Sequence, residues 1–104
     1  LLAGVASAGK PHYAVATWYY PGIGACGIWN TNNDKIVALP LSSYGTGNHC
    51  GQNVKLHYQG RTVIAKVVDM CPSCGRNGID LSLGAFQALA PPGKGVIQVV
   101  WEYV

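Results

Sequence analysis

Apolar positions along this 104-residue chain come in short runs broken by glycine, proline and asparagine. That is the pattern of strands joined by turns rather than of long helices. Residues 13–20 are β-branched and aromatic and stop at Pro21-Gly22, which predicts a strand. Residues 22–34, punctuated by Gly, Asn and Thr, read as a loop. Ile36 to Leu41 is a brief apolar run holding Pro40, hence an edge strand or a strand entering a bend. Residues 42–50 read as a second polar loop. Residues 54–58 and 62–69 flank Gln59-Gly60 and predict a hairpin, with Gly60 free to take the positive φ of a tight turn. Residues 71–78 read as loop and residues 80–89 as the one helix. Ser82 suits its N-cap, Phe86 and Leu89 share a face, and Pro91-Pro92-Gly93 stop it. In residues 96–104, Ile97, Val99, Trp101 and Tyr103 alternate with Gln98, Val100 and Glu102, so the last strand has one apolar face. Short strands, one short helix and long polar loops favour a small closed β-barrel, which leaves no strand edge bare.

The length allows one domain. The first residues, LLAGVASAGK, differ from the rest, and Ala6-Ser7-Ala8 has the small-x-small form of a signal-peptide cleavage site, without a positive stretch before it. Residues 1–12 are therefore set apart as a tail or signal remnant, and residues 13–104 as the domain. Hydrophobic residues make up 49% of the chain and charged residues only 11%, which excludes a disordered chain, a coiled coil and an acidic scaffold. The net charge is +3, but the seven basic residues are dispersed, so a nucleic-acid partner is not expected. No apolar run approaches the ~20 residues of a membrane span, so a membrane partner is not expected either. The positive excess reflects a scarcity of acids: Asp34, Asp69, Asp80 and Glu102 are the only four. A neutral polymer, carbohydrate above all, fits such a chain better than a charged one.

Cysteines stand at 26, 50, 71 and 74. An even count in a small chain suits two disulfides in a secreted protein, with three pairings open. Cys71-x-x-Cys74 is also a plausible zinc half-site, but Cys26 and Cys50 supply no second tight pair. No metal and no cofactor are expected. Nucleophile-elbow, phosphate-loop and HExxH motifs are absent. Paired cysteines leave no thiol nucleophile, and His12, His49 and His57 have no sequence partners that suggest a triad.

Asp69 and Asp80 each follow a strongly apolar neighbour, Val68 and Ile79, where a strand or loop ends. Burial there would keep a carboxylic acid protonated, and a protonated acid can donate to a glycosidic oxygen. Equally, Asp69 could cap the following loop and Asp80 the helix. Asp34, in Asn32-Asn33-Asp34, suits a solvated turn, and Glu102 the polar face of the last strand. Trp18, Tyr19, Tyr20, Trp29 and Tyr44 lie near loops and could form a platform for the apolar faces of sugar rings. Alternation sends Trp18 and Tyr20 to the face opposite Tyr19, so not all of them can serve.

Four segments occur in order: Ala16-Thr17-Trp18-Tyr19, Gly24-Ala25-Cys26-Gly27, Val67-Val68-Asp69-Met70-Cys71-Pro72 and Ile79-Asp80-Leu81-Ser82-Leu83-Gly84-Ala85-Phe86. Together they resemble the expansin, barwin and rare lipoprotein A superfamily, and most of all the single-domain fungal loosenins, over roughly residues 13–104. The resemblance implies a mainly β fold, a six-stranded double-psi β-barrel with one or two short helices. It implies a secreted monomer with a shallow groove for cell-wall polysaccharide such as cellulose or chitin. Carried over by motif, the groove residues are Thr17, Asp69 and Asp80, with Asp80 in the proton-donor position, and Tyr19, Tyr20, Trp29 and Tyr44 are the candidate sugar contacts. The related inverting endoglucanases carry a catalytic base just after the first-strand Thr-x-Tyr. Here Tyr20 and Pro21 follow, so the chain resembles the non-hydrolytic branch. Cys71 stands where bacterial expansins usually have an aromatic residue. Barwin-type pairing implies Cys26–Cys50 and hence Cys71–Cys74. Two other readings stay open: a lytic transglycosylase or weak glycosidase, and a cysteine-protease inhibitor or barwin-type defence protein acting through exposed loops.

Overall fold

The structure, a computed structural model, describes residues 10–44 and 49–104, with the side chain of Tyr44 outside the described part. The N-terminal residues 1–9, including the Ala6-Ser7-Ala8 site, also lie outside it. Six strands form the barrel: β1 (His12–Tyr19), β2 (Ile36–Pro40), β3 (Asn53–Tyr58), β4 (Arg61–Cys71), β5 (Gly78–Ser82) and β6 (Ile97–Tyr103). Two short helices accompany them, α1 (Leu41–Tyr44) and α2 (Leu83–Gln87). The strands close in the order β1-β5-β2-β4-β3-β6, with β1–β5 and β2–β4 parallel and the other neighbours antiparallel. This is the double-psi β-barrel that the resemblance implied.

Alternation builds the core. Ala14 and Ala16 of β1, Val54 and Leu56 of β3, Val63, Ala65 and Val67 of β4, and Ile97, Val99 and Trp101 of β6 all point inward. The two inward alanines of β1 leave space in a core that also holds Trp101 and Phe86, both fully buried. The hairpin lies as its sequence predicts, with Gln59 at φ 46° and Gly60 at φ 82° in the turn. The last strand also keeps its apolar face.

Besides α1, which forms over residues 41–44 where the end of a strand and a polar loop were expected, two elements differ from their sequence reading. Residues 78–82 are a strand, not the start of the helix: Ile79 and Leu81 face the core while the backbone pairs with β1 on one side and β2 on the other. Ser82 does cap α2, accepting from the Ala85 N–H. It also accepts from the Ile36 N–H and donates to the Asp34 carbonyl, so one buried hydroxyl ties three segments together. Secondly, β2 is no edge strand. It lies between β4 and β5, all five of its residues are buried, and Pro40 is tolerated because it stands at the strand's last position.

Candidate functional site

Register places four outward-facing positions side by side. Thr17 of β1 pairs with Asp80 of β5, Asp80 with Ala38 of β2, and Ala38 with Asp69 of β4. The two carboxylate-bearing strands thus stand two strand spacings apart, about 10 Å at the backbone. Between them in the register stands Ala38, small and only 2% exposed, a residue that no sequence motif had pointed to.

Asp69 faces outward because of a bulge. Val63, Ala65 and Val67 point into the core, and strict alternation would send residue 69 after them. The β2–β4 register shifts between Val37 and Ala38, so that Val67 and Val68 are both buried and Asp69 emerges on the outer face. Three donors then hold it. The Ala25 N–H at 2.7 Å and the Met70 N–H at 2.8 Å reach Oδ1, and the Tyr19 hydroxyl reaches Oδ2 at 3.4 Å. The loop that brings Ala25 here can approach only through a glycine. A Cβ on Gly24 would sit 2.5 Å from the Val68 carbonyl oxygen and 2.9 Å from the Asp69 side chain. That is the physical content of the Gly24-Ala25-Cys26-Gly27 segment.

Asp80 has the opposite surroundings. It is half-buried, and it accepts one side-chain hydrogen bond, 2.8 Å from the Thr17 hydroxyl. The Cys71–Cys74 disulfide crowds it, with the two sulfurs and a carboxylate oxygen all within 4.8 Å of one another. Burial pushes its acid upward, the Thr17 hydrogen bond pulls it back, and the charge of Asp69 adds to the rise. Burial raises Tyr19 as well, helped by the charges of Asp69 and Asp80 and by its hydrogen bond to Asp69, so its phenol stays a donor. The row therefore offers an acid whose proton affinity is raised, a phenol donor and a well-held carboxyl group.

Of the other predicted contacts, Tyr19 joins this row, whereas Tyr20 and Trp29 do not join its hydrogen bonds. Tyr20 is 68% exposed and packs edge-on against Trp18 at 5.5 Å. Trp29 is 67% exposed at the end of a loop bridge with Ile23. Tyr44 ends α1, and its side chain lies outside the described residues. Trp18 faces inward, its indole N–H bonded to the Pro92 carbonyl at 3.1 Å. Both remaining acids are engaged elsewhere. Asp34 closes a turn with the Thr31 N–H, and Glu102 pairs with His57 at 2.7 Å.

The disulfides are Cys26–Cys50 and Cys71–Cys74, the pairing that the resemblance implied. All four cysteines are spoken for, so the Cys71-x-x-Cys74 pair is a staple beside Asp80 and not a zinc half-site. Two disulfides in so small a domain fit an extracellular protein. No described helix is long and apolar enough to cross a membrane.

A family model described as lytic transglycolase, a double-psi β-barrel, matches residues 13–101. The chain belongs to this family. Within the expansin-like double-psi barrels, its relatives diverge in what they are described as doing. A papain inhibitor of Streptomyces mobaraensis is 39% identical over 117 residues, spanning all of this chain and 82% of that protein. A solved Streptomyces papain inhibitor superposes with a TM-score of 0.83 at 36% identity, covering 94% of this chain and 97% of that one. An Asp-to-Asn mutant of Clavibacter michiganensis expansin, solved in complex with cellohexaose, superposes with a TM-score of 0.84 at 25% identity. That alignment covers 91% of this chain but only 50% of the expansin.

Proposed function

We propose that this protein is secreted and binds cell-wall polysaccharide, cellulose or chitin, across the Thr17–Asp80–Ala38–Asp69 row, loosening it without net cleavage. The observation that carries this reading is the contrast between the two carboxyl groups. Asp80 is half-buried against the Cys71–Cys74 disulfide and Thr17, and burial raises its proton affinity, which suits it to donate to a bridging oxygen. Asp69 is tied down by two backbone N–H groups and a phenol. Hydrolysis with inversion needs a second carboxylate free to activate water, and Asp34 and Glu102 are committed to a turn and to His57. Donation by Asp80 then competes with hydrogen bonds between polysaccharide chains. The expansin relative in complex with cellohexaose supports the substrate class.

One observation favours a second reading. The papain inhibitor relatives match this chain over nearly its whole length. Inhibition would use exposed loop side chains, Trp29 and Ile23 among the described residues, and would not need Asp80. Pull-down with insoluble cellulose and chitin, run beside titration against papain, separates the two. The polysaccharide reading expects pull-down that Thr17→Val and Asp80→Asn weaken. Papain inhibition untouched by either substitution, with no pull-down, transfers the function to the loops.

A further inference from the structure

We infer that the polysaccharide site extends from Asp80 along β1 to a distal sugar platform at Tyr13, with Asn77 as its polar contact. The inference rests on the glycan reading above and specifies where the chain runs.

The cleft beside the carboxylate row, about 450 Å³, is lined by Thr17, Asp80, Val15, Asn77 and the Cys74 side of the disulfide. It does not end there. A second cleft of about 340 Å³ shares Val15 and Asn77 with it and continues over Tyr13, Gln98 and Val100. The two form one trough on the outer face of β1, flanked by β5 and β6. Thr17, Val15 and Tyr13 are alternate residues of one strand, so they share a face and span about 13 Å from first to last. The trough's course from the carboxylate row is therefore set by the direction of β1.

The trough's composition suits a neutral sugar chain. Tyr13 is 74% exposed and Val15 42% exposed on the outside of a barrel whose other outward strand positions are largely polar. An aromatic ring and a valine left open in line invite an apolar face, and sugar rings offer one. Gln98 and Asn77 supply uncharged amide donors and acceptors at the margins. The backbone at Asn77 is held in place, because its main-chain carbonyl accepts from the Val15 N–H at 2.9 Å. No carboxylate other than Asp80 and no basic side chain lines these two clefts, although Arg76 lines a neighbouring cleft that shares Tyr13 and Asn77. Continuity with the Thr17–Asp80 pair makes the occupant of both the same extended molecule.

The test is calorimetric titration of the whole protein with two-unit and six-unit oligosaccharides, cellobiose and cellohexaose in one arm and chitobiose and chitohexaose in the other. Wild type is expected to bind one six-unit sugar more tightly than its two-unit counterpart. Tyr13→Ala and Asn77→Ala are each expected to weaken six-unit binding about fivefold, the equivalent of ~1 kcal/mol for one aromatic or polar contact, and to leave two-unit binding unchanged. Six-unit binding unaltered in Tyr13→Ala but weakened in Asp80→Asn overturns the inference and leaves the glycan reading standing. Failure of every sugar to bind wild type overturns both. If Tyr13→Ala unfolds, Tyr13→Trp decides: it must bind the six-unit sugar at least as tightly as wild type, and weaker binding overturns the platform.

Discussion

Gly24→Ala tests how the site is assembled. The added methyl would lie 2.5 Å from the Val68 carbonyl oxygen and 2.9 Å from Cβ and Cγ of Asp69. The strand end cannot yield freely, because the same Val68 carbonyl accepts from the Cys26 N–H at 3.0 Å. The loop cannot lift without breaking that bond and the 2.7 Å bond from the Ala25 N–H to Asp69. Overpacking of this kind costs about 1–3 kcal/mol, and a lost hydrogen bond to a charged group about 1.5–3. The two are alternatives in part, since a loop that moves relieves the clash. Replacing glycine stabilises through the unfolded chain by about 0.4–1 kcal/mol. The net expectation is a loss of about 2 kcal/mol, read in urea denaturation and as a fall in melting temperature of roughly 8–16 °C for a domain of this size. Gly93→Ala is the control: an added Cβ there meets nothing within 4 Å, and its effect should stay within about 0.5 kcal/mol. Equal stability of the two variants would refute the close approach of loop and strand, and with it the account of how Asp69 is held.

Three further outcomes follow from the same geometry. Because Asp80 titrates above the ordinary aspartate value of 3.8, the folded state binds its proton more tightly than the unfolded state. Stability should therefore fall as pH rises from that value through the raised one, and Asp80→Asn should remove this part of the slope in denaturation series across pH. Thr17→Val removes the hydrogen bond that holds the Asp80 acid down, so the carboxyl resonance of Asp80 should titrate at higher pH, and an unmoved or lowered midpoint would contradict the pairing. Ser82→Ala strands the buried Ile36 N–H and Asp34 carbonyl and removes the α2 cap, a loss of about 2–3 kcal/mol in urea denaturation.

Sequence pattern was a good guide wherever an element's partners are close in the chain. The β3–β4 hairpin could be read from Gln59-Gly60 and the flanking alternation, and β6 from its seven alternating residues. It misled where pairing is long-range. β5 is five residues long and runs straight into the helix cap at Ser82, so its period of two is too brief to stand out from the helical run that follows. What makes it a strand is pairing with β1, some sixty residues earlier. β2 looked like an edge because of Pro40, although the barrel closes over it on both sides. The site was legible in part. Asp69 and Asp80 stood out by their apolar neighbours, but spacing alone could not separate a groove residue from a cap. The family-like segments are what pointed to the groove reading. Ala38 carried no signal at all, since an alanine in an apolar strand reads as core. The bulge that turns Asp69 outward is likewise invisible in Val67-Val68 until β2 supplies the register.

The most direct measurement pairs wild type with Asp80→Asn on filter paper and on chitin, recording mechanical weakening and soluble sugar from the same samples. Weakening without sugar release, lost in Asp80→Asn, is the predicted result. Sugar release that Asp80→Asn abolishes would contradict it and make the protein a lytic enzyme.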